Sequence, residues 1–361
     1  MFNLQVPTRR SVLRGAAAAI GAAAVPGLSA RAADFDGKTL RVGTWGGSWR
    51  DSLEKTVGAR VEARGAKIEY VLDSPTGNAA KLIAARGRAA PFDSMEGAPE
   101  LVSSLAEAKL IEKLDLSAIP NAAQLLAFAR AEYYVITLAT LDGVVFNTAK
   151  FEEAGVSPPK HYRDLISPKL AGRVAFPDIN HTQHWNAVVG LAYEAGGDET
   201  SLIKAIPLVN EIKPAYFYAT STDLATKFGS GEIWAAPWHA GFVVRLKRTG
   251  LPVAIGYTQF GNKYAALWPV LHHIISGSTN TKLAAAFLDT YLSPEAQFDH
   301  SKFTGSLPMN PDARQRLSTD PENKDVLMFS DQELNNTFLI NFSKIDLPRW
   351  REAWNRDVKR T

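Results

Sequence analysis

The chain has 361 residues, 46% of them hydrophobic and 21% charged, which is an ordinary composition for a soluble protein of about two domains. Its formal net charge is +3, but Arg9, Arg10, Arg14 and Arg31 lie in the first 32 residues with no acid among them; without those four, 36 basic residues face 37 acidic ones, a net of −1. The body therefore has no global electrostatic reason to bind nucleic acid. The absence of cysteine excludes disulfides, thiolate nucleophiles, cysteine-held metals and a lipoprotein anchor.

The N-terminus has the grammar of a secretory leader. "TRRSVLRG" (8–15) is charged, "AAAAIGAAAVPGLSARAA" (16–33) is moderately apolar, and Ala30-Arg31-Ala32 offers a cleavage site. The Arg9-Arg10 pair resembles a twin-arginine (Tat) signal, and the alanine-rich stretch suits that route. A leader over 1–32 and a periplasmic location are expected.

Strands and helices then alternate. "KTLRVGTW" (38–45) reads as a strand and "WRDSLEKTVGARVEARG" (49–65) as an amphipathic helix. "AKIEYVL" (66–72) is a second strand, "NAAKLIAARGR" (78–88) a helix, "FDSMEG" (92–97) a short strand, and "PELVSSLAEAKLI" (99–111) a helix opened by Pro99. This βαβαβ order predicts a mostly parallel sheet flanked by helices, with ligands beyond the carboxyl ends of its strands. "YYVITLATLDGVVFN" (133–147) and "KYAALWPVLHHIIS" (263–276) are long β-rich runs suited to crossing between lobes. Between them lie strands predicted at 173–178, 215–220, 233–238 and 252–259, and helices at 148–155, about 184–195, 222–232 and 239–250. Helical segments over 281–303 and 346–360 follow. The expected architecture is two α/β lobes joined by two extended crossings: 33–138 with 264–310, and 139–263 with 311–361.

Two loops at strand ends draw attention. In "TWGGSW" (44–49), Gly46-Gly47 free the backbone beside two large rings, and Ser48 opens a helix. Trp49, on the helix, is expected in the core. In "TSTD" (220–223), capping of a helix by Ser221 or Thr222 accounts for the residues and is compatible with a ligand contact. His272-His273 point to opposite faces of a strand, and Phe217 separates Tyr216 from Tyr218, so neither pair reads as a metal site. The nucleophile elbow, the Walker loop and G-x-G-x-x-G are absent, and the chain is not read as an enzyme.

"LRVGTWGGSW" (40–49), "APFDSMEGAPELVSSLAEAKLIEKLD" (90–115), "LDGVVFNTAKFEEAG" (141–155), "YRDLISPKLAGRVAFPD" (162–178), "LATKFGSGEIWAAPWHAG" (224–241) and "LAAAFLDTYLSPEAQ" (283–297) occur in an order and spacing that span the mature chain. Together they resemble the periplasmic solute-binding proteins of ABC importers, in the spermidine/putrescine-binding branch. The resemblance implies a periplasmic-binding-protein-like II fold that closes by hinge bending on a small solute and delivers it to an ABC permease at the inner membrane. It places Trp45, Trp238 and Trp268 as aromatic clamps and the loop carrying Glu96 and Ala98 as a polar contact. Gly46, Gly47, Ser48, Asp178, Thr220, Ser221 and His239 would complete the site. The chain departs from polyamine binders where Pro269, Val270 and Leu271 follow the third aromatic, and where Asp178 is the only acid of "DINHTQHW" (178–185). The expected ligand is a small polar, nitrogen-containing, polyamine-like solute, with a carboxylate or phosphonate anion as the rival; a secreted hydrolase or a ferric-ion-binding protein is a more distant reading. No cofactor and a monomer are expected.

Overall fold

The computed structural model describes residues 34–86 and 88–359. The leader predicted over 1–32 lies outside them. β1 (Thr39–Thr44) buries Leu40 and Val42 and pairs in parallel with β2 (Lys67–Leu72) and β3 (Ser94–Gly97). Parallel neighbours need crossovers. The first is α1 (Ser48–Leu53), which continues through a π-helical turn at Glu54–Gly58 into α2 (Ala59–Glu62). The second is α3 (Pro75–Ala84), capped by the Ser74 hydroxyl, which accepts from Gly77 N–H at 3.0 Å. α4 (Val102–Glu107) follows a 3-10 turn opened by Pro99.

β4 (Val135–Asn147) is thirteen residues long and buried throughout. α5 (Thr148–Glu153) ends it, and two 3-10 turns, Tyr162–Leu165 and Pro168–Leu170, carry the chain to β5 (Ala175–Pro177). α6 (Gln183–Glu194) and α7 (Ala205–Ile212) lead to β6 (Tyr216–Tyr218), which pairs in parallel with β5. α8 (Ser221–Gly229), β7 (Ala235–His239), α9 (Ala240–Arg248) and β8 (Val253–Gly256) come next. The short hairpin of β9 (Gln259–Phe260) and β10 (Lys263–Tyr264) precedes β11 (Ala266–Ile274), nine residues and again wholly buried.

β4 and β11 run antiparallel to each other, with an irregularity between Val270 and Leu271. β4 also pairs antiparallel with β7 and β8 over its second half. The result is one mixed eight-stranded sheet: a parallel β1–β2–β3 group extended by antiparallel pairs along the two long strands. β4 supplies Leu138 and Leu141 to one hydrophobic cluster and Val144 and Phe146 to the other; β11 likewise supplies Leu271 to the first and Trp268 to the second.

The C-terminal third is helical. The run predicted over 281–303 is two helices, α10 (Thr281–Tyr291) and α11 (Pro294–Thr304), because Ser293 caps the second and Pro294 cannot continue the first. β12 (Leu307–Pro308) pairs with β4, α12 (Pro311–Leu317) packs against β12, and α13 (Asp331–Asn335) follows. α14 (Leu347–Asp357) buries Trp350 and Trp354 in the second cluster. There Trp350 Nε1 donates to His184 Nε2 at 3.1 Å, and the opposite ring nitrogen of His184 faces Pro177 O at 3.3 Å. Burial pushes His184 down to about 3, so it stays neutral. His272 pairs with Ser94 Oγ and His273 with Tyr133 O, on separate partners. Among the described residues no group of three or more acidic or imidazole side chains is placed to hold a metal ion, and no helix is long and apolar enough to cross a membrane.

Where β4 and β8 meet, Val144 pairs with Gly256, and a Cβ on the adjoining Gly143 would stand 2.4 Å from Gly256 O. A Cβ on Gly256 would stand 1.9 Å from Pro159 O. Both obstacles are backbone, which cannot swing away. Gly143→Ala and Gly256→Ala are each expected to cost about 2 kcal/mol or more in urea denaturation. Gly229→Ala, at a helical position with open space around it, serves as the unaffected control.

Candidate ligand-binding cleft

The loop after β1 turns at Gly47, whose φ of 63° suits a residue without a side chain. Asp51 N–H then bonds Gly47 O at 3.1 Å and the helix begins. Trp45 is half-buried and Gly46, Gly47 and Ser48 are exposed. Trp49 points inward, edge-on to Trp45 at 5.3 Å and to His300 at 4.7 Å. Its Nε1 donates to Glu96 Oε1 at 2.9 Å. Glu96 lies at the end of β3, fully buried, and also accepts from Thr44 Oγ1, from Tyr291 OH at 3.4 Å and from Trp45 N–H. Burial pushes its carboxyl up to about 7 against these donors. Glu96 thus ties a strand end to a helix start. With no exposed surface and with protein donors on both oxygens, it stands behind the surface that a solute would touch.

A cavity of about 70 Å³, partly open to solvent, lies past the end of β3. One wall is the start of α3 (Ser74, Pro75, Thr76) and the loop after β3 (Gly97, Ala98, Glu100). The other is the β5–α6 loop (Ile179 to Thr182), with Trp185 of α6, Trp268 of β11 and Arg351 of α14 closing it. Glu100 Oε2 is buried without a hydrogen-bond partner among the described residues. Burial pushes the Glu100 carboxyl up to about 7, with Arg351 pulling weakly the other way. His181 Nδ1 accepts from Gln183 N–H at 3.3 Å, which leaves Nε2 to donate to Ser221 Oγ at 3.2 Å. Burial holds His181 down at about 3, so it is neutral in the cavity wall.

Of the residues singled out from the sequence, Ala98 and Trp268 line this cavity. Ser221 stands one bond behind it, through His181. Asp178 immediately precedes the lining loop and accepts from Asn180 N–H at 3.1 Å. Thr220 caps α8 by accepting from Asp223 N–H at 3.2 Å and is exposed. Trp45, Gly46, Gly47 and Ser48 are not among its lining residues. Trp238 differs most from expectation. It is fully buried, stacked on Phe242 at 4.1 Å, and its Nε1 donates to Ser221 Oγ at 3.0 Å. With one ring face covered by Phe242 and no exposed surface, it positions Ser221 and cannot itself stack on a solute. His239 is buried beside Phe242, its Nδ1 unpaired, and is held neutral by burial. Glu100 belongs to the loop that the resemblance implicates, while His181, Trp185 and Arg351 were not foreseen as cavity residues; Arg351 arrives from a helix some 250 positions away in sequence from Glu100.

The fold is that of periplasmic binding proteins. An ABC transporter from Clostridium perfringens ATCC 13124 is similar at 26% identity and a TM-score of 0.68, over 89% of this chain and 100% of that one. An ABC transporter substrate-binding protein from Bradyrhizobium japonicum USDA 110 is similar at 20% identity and a TM-score of 0.70, over 88% and 98%. The PBP MotA from A. tumefaciens B6, in complex with glucopine, is similar at 18% identity and a TM-score of 0.70, over 88% and 98%. Comparison with curated protein sequences finds no match. The bacterial extracellular solute-binding protein family matches residues 58–329, and the chain belongs to it.

Glu96 binds its proton more tightly in the folded chain than in the unfolded one, so it favours the fold at low pH. That contribution is lost as pH rises from about 4.5 through about 7. Relative to Glu96→Gln, which does not titrate, the parent is expected to lose up to roughly 3 kcal/mol between pH 4.5 and 8. Urea denaturation of both proteins across that range checks this; a pH-independent difference between them contradicts it.

Proposed function

We propose that the chain is the solute-binding component of an ABC importer that captures a small, polar, nitrogen-containing solute between two lobes and delivers it to an inner-membrane permease. The lobes are 33–138 with 264–310 and 139–263 with 311–361. Export by the twin-arginine route and action as a periplasmic monomer belong to the same reading. The observation that carries it is Glu100. Its buried Oε2 lacks a hydrogen-bond partner among the described residues and lies in the wall of a cavity also lined by Trp185 and Trp268. A buried carboxylate oxygen without a donor is costly, and an incoming N–H group removes that cost. The flanking indoles offer apolar and π surface to the rest of the solute.

The cavity of about 70 Å³ supports a short polyamine-like or amino-acid-sized solute over a long polyamine. Glu100 is its single lining carboxylate, whereas a buried diammonium ion needs compensation at both ends. The ligand shifts the lobes toward closure only by its differential affinity for the closed state.

Native mass spectrometry of protein purified without unfolding identifies a retained solute by mass. Trp268→Ala is expected to weaken binding of that solute tenfold or more by calorimetry, since it removes one wall. Unchanged affinity places the solute elsewhere and overturns the reading.

A further inference from the structure

We propose that the solute is a zwitterion whose ammonium group seats on Glu100 and whose anionic group seats on Arg351. This rests on the cavity being the solute site. Glu100 and Arg351 are the two formally charged lining residues apart from His181, whose ring is neutral. They come from different elements: Glu100 follows β3, and Arg351 belongs to α14. Among the described residues no ion pair joins them, and neither has another ion-pair partner. Two opposite charges facing one cavity without meeting leave room for a molecule carrying both complementary charges.

The pattern discriminates by charge. A diamine of the same length would satisfy Glu100 and set its second ammonium against Arg351. A dicarboxylate would satisfy Arg351 and set its second carboxylate against Glu100. A zwitterion satisfies both, and its methylenes lie against Trp185 and Trp268. Arg351 is exposed at the edge of the cavity, so its guanidinium is reachable by an anionic group entering from solvent.

The test uses the full chain and three series of probes of matched length: ω-amino acids from glycine to 6-aminohexanoate, α,ω-diamines and α,ω-dicarboxylates. Calorimetry is expected to find an ω-amino acid that binds at least tenfold more tightly than its matched diamine and dicarboxylate. Arg351→Gln should lower that affinity at least tenfold and narrow the gap to the diamine. Glu100→Gln should lower it comparably and narrow the gap to the dicarboxylate. Both changes conserve shape, and circular dichroism and thermal unfolding confirm the fold. A diamine bound as tightly as the zwitterion and indifferent to Arg351→Gln overturns the zwitterion while leaving a nitrogen-containing solute in place. A dicarboxylate bound tightly and indifferent to Glu100→Gln overturns both. No binding by any amino acid of the series overturns the zwitterion, and the mass of the retained solute then decides separately whether the cavity is a receptor site.

Discussion

The pairing of β4 with β11 is the constraint on which the rest depends. Every residue of both strands is buried, so their polar backbone groups must be satisfied by neighbouring strands. β4 meets this need by pairing with β11 and β12 along its first part and with β7 and β8 along its second. The same two strands feed both hydrophobic clusters, through residues such as Leu141 and Phe146 on β4 and Leu271 and Trp268 on β11. A chain built this way has its loops converging above a shared floor, and Trp268 lies on that floor, in the cavity.

The contrast between Glu96 and Glu100 follows from where each stands relative to that floor. Glu96 is fully buried and Glu100 half-buried with its Oε2 shielded from solvent, and loss of hydration pushes both up to about 7. Glu96 is surrounded by donors from Thr44, Trp45, Trp49 and Tyr291 and so stabilises the loop that carries Trp45. Glu100, four residues later and past the strand end, keeps an oxygen with no donor. A satisfied buried carboxyl is architecture; an unsatisfied one beside a cavity is the place where a solute can contribute free energy.

The sequence was legible where local pattern decides structure. The alternation of β1, the turn at Gly47 and the long strands β4 and β11 all follow from periodicity and glycine placement. It was less legible where tertiary partners decide. Spacing could not say which of Glu96 and Glu100 faces a cavity, because both flank the same strand end. Trp238 reads as a clamp from its position before "HAG", yet Phe242, one helical turn later, covers its ring. Arg351 gave no local signal, since it lies on the exposed face of α14 and reaches the cavity only through the tertiary fold. His181 offered no such signal, since its role depends on Ser221 forty residues away.

The measurement that tests the account most directly is a crystal structure of the protein with its retained solute. The account predicts density for a small molecule against Trp268, with a nitrogen within hydrogen-bond distance of Glu100 Oε2. A solute bound outside this cavity, or one that leaves Glu100 without a donor, would contradict it.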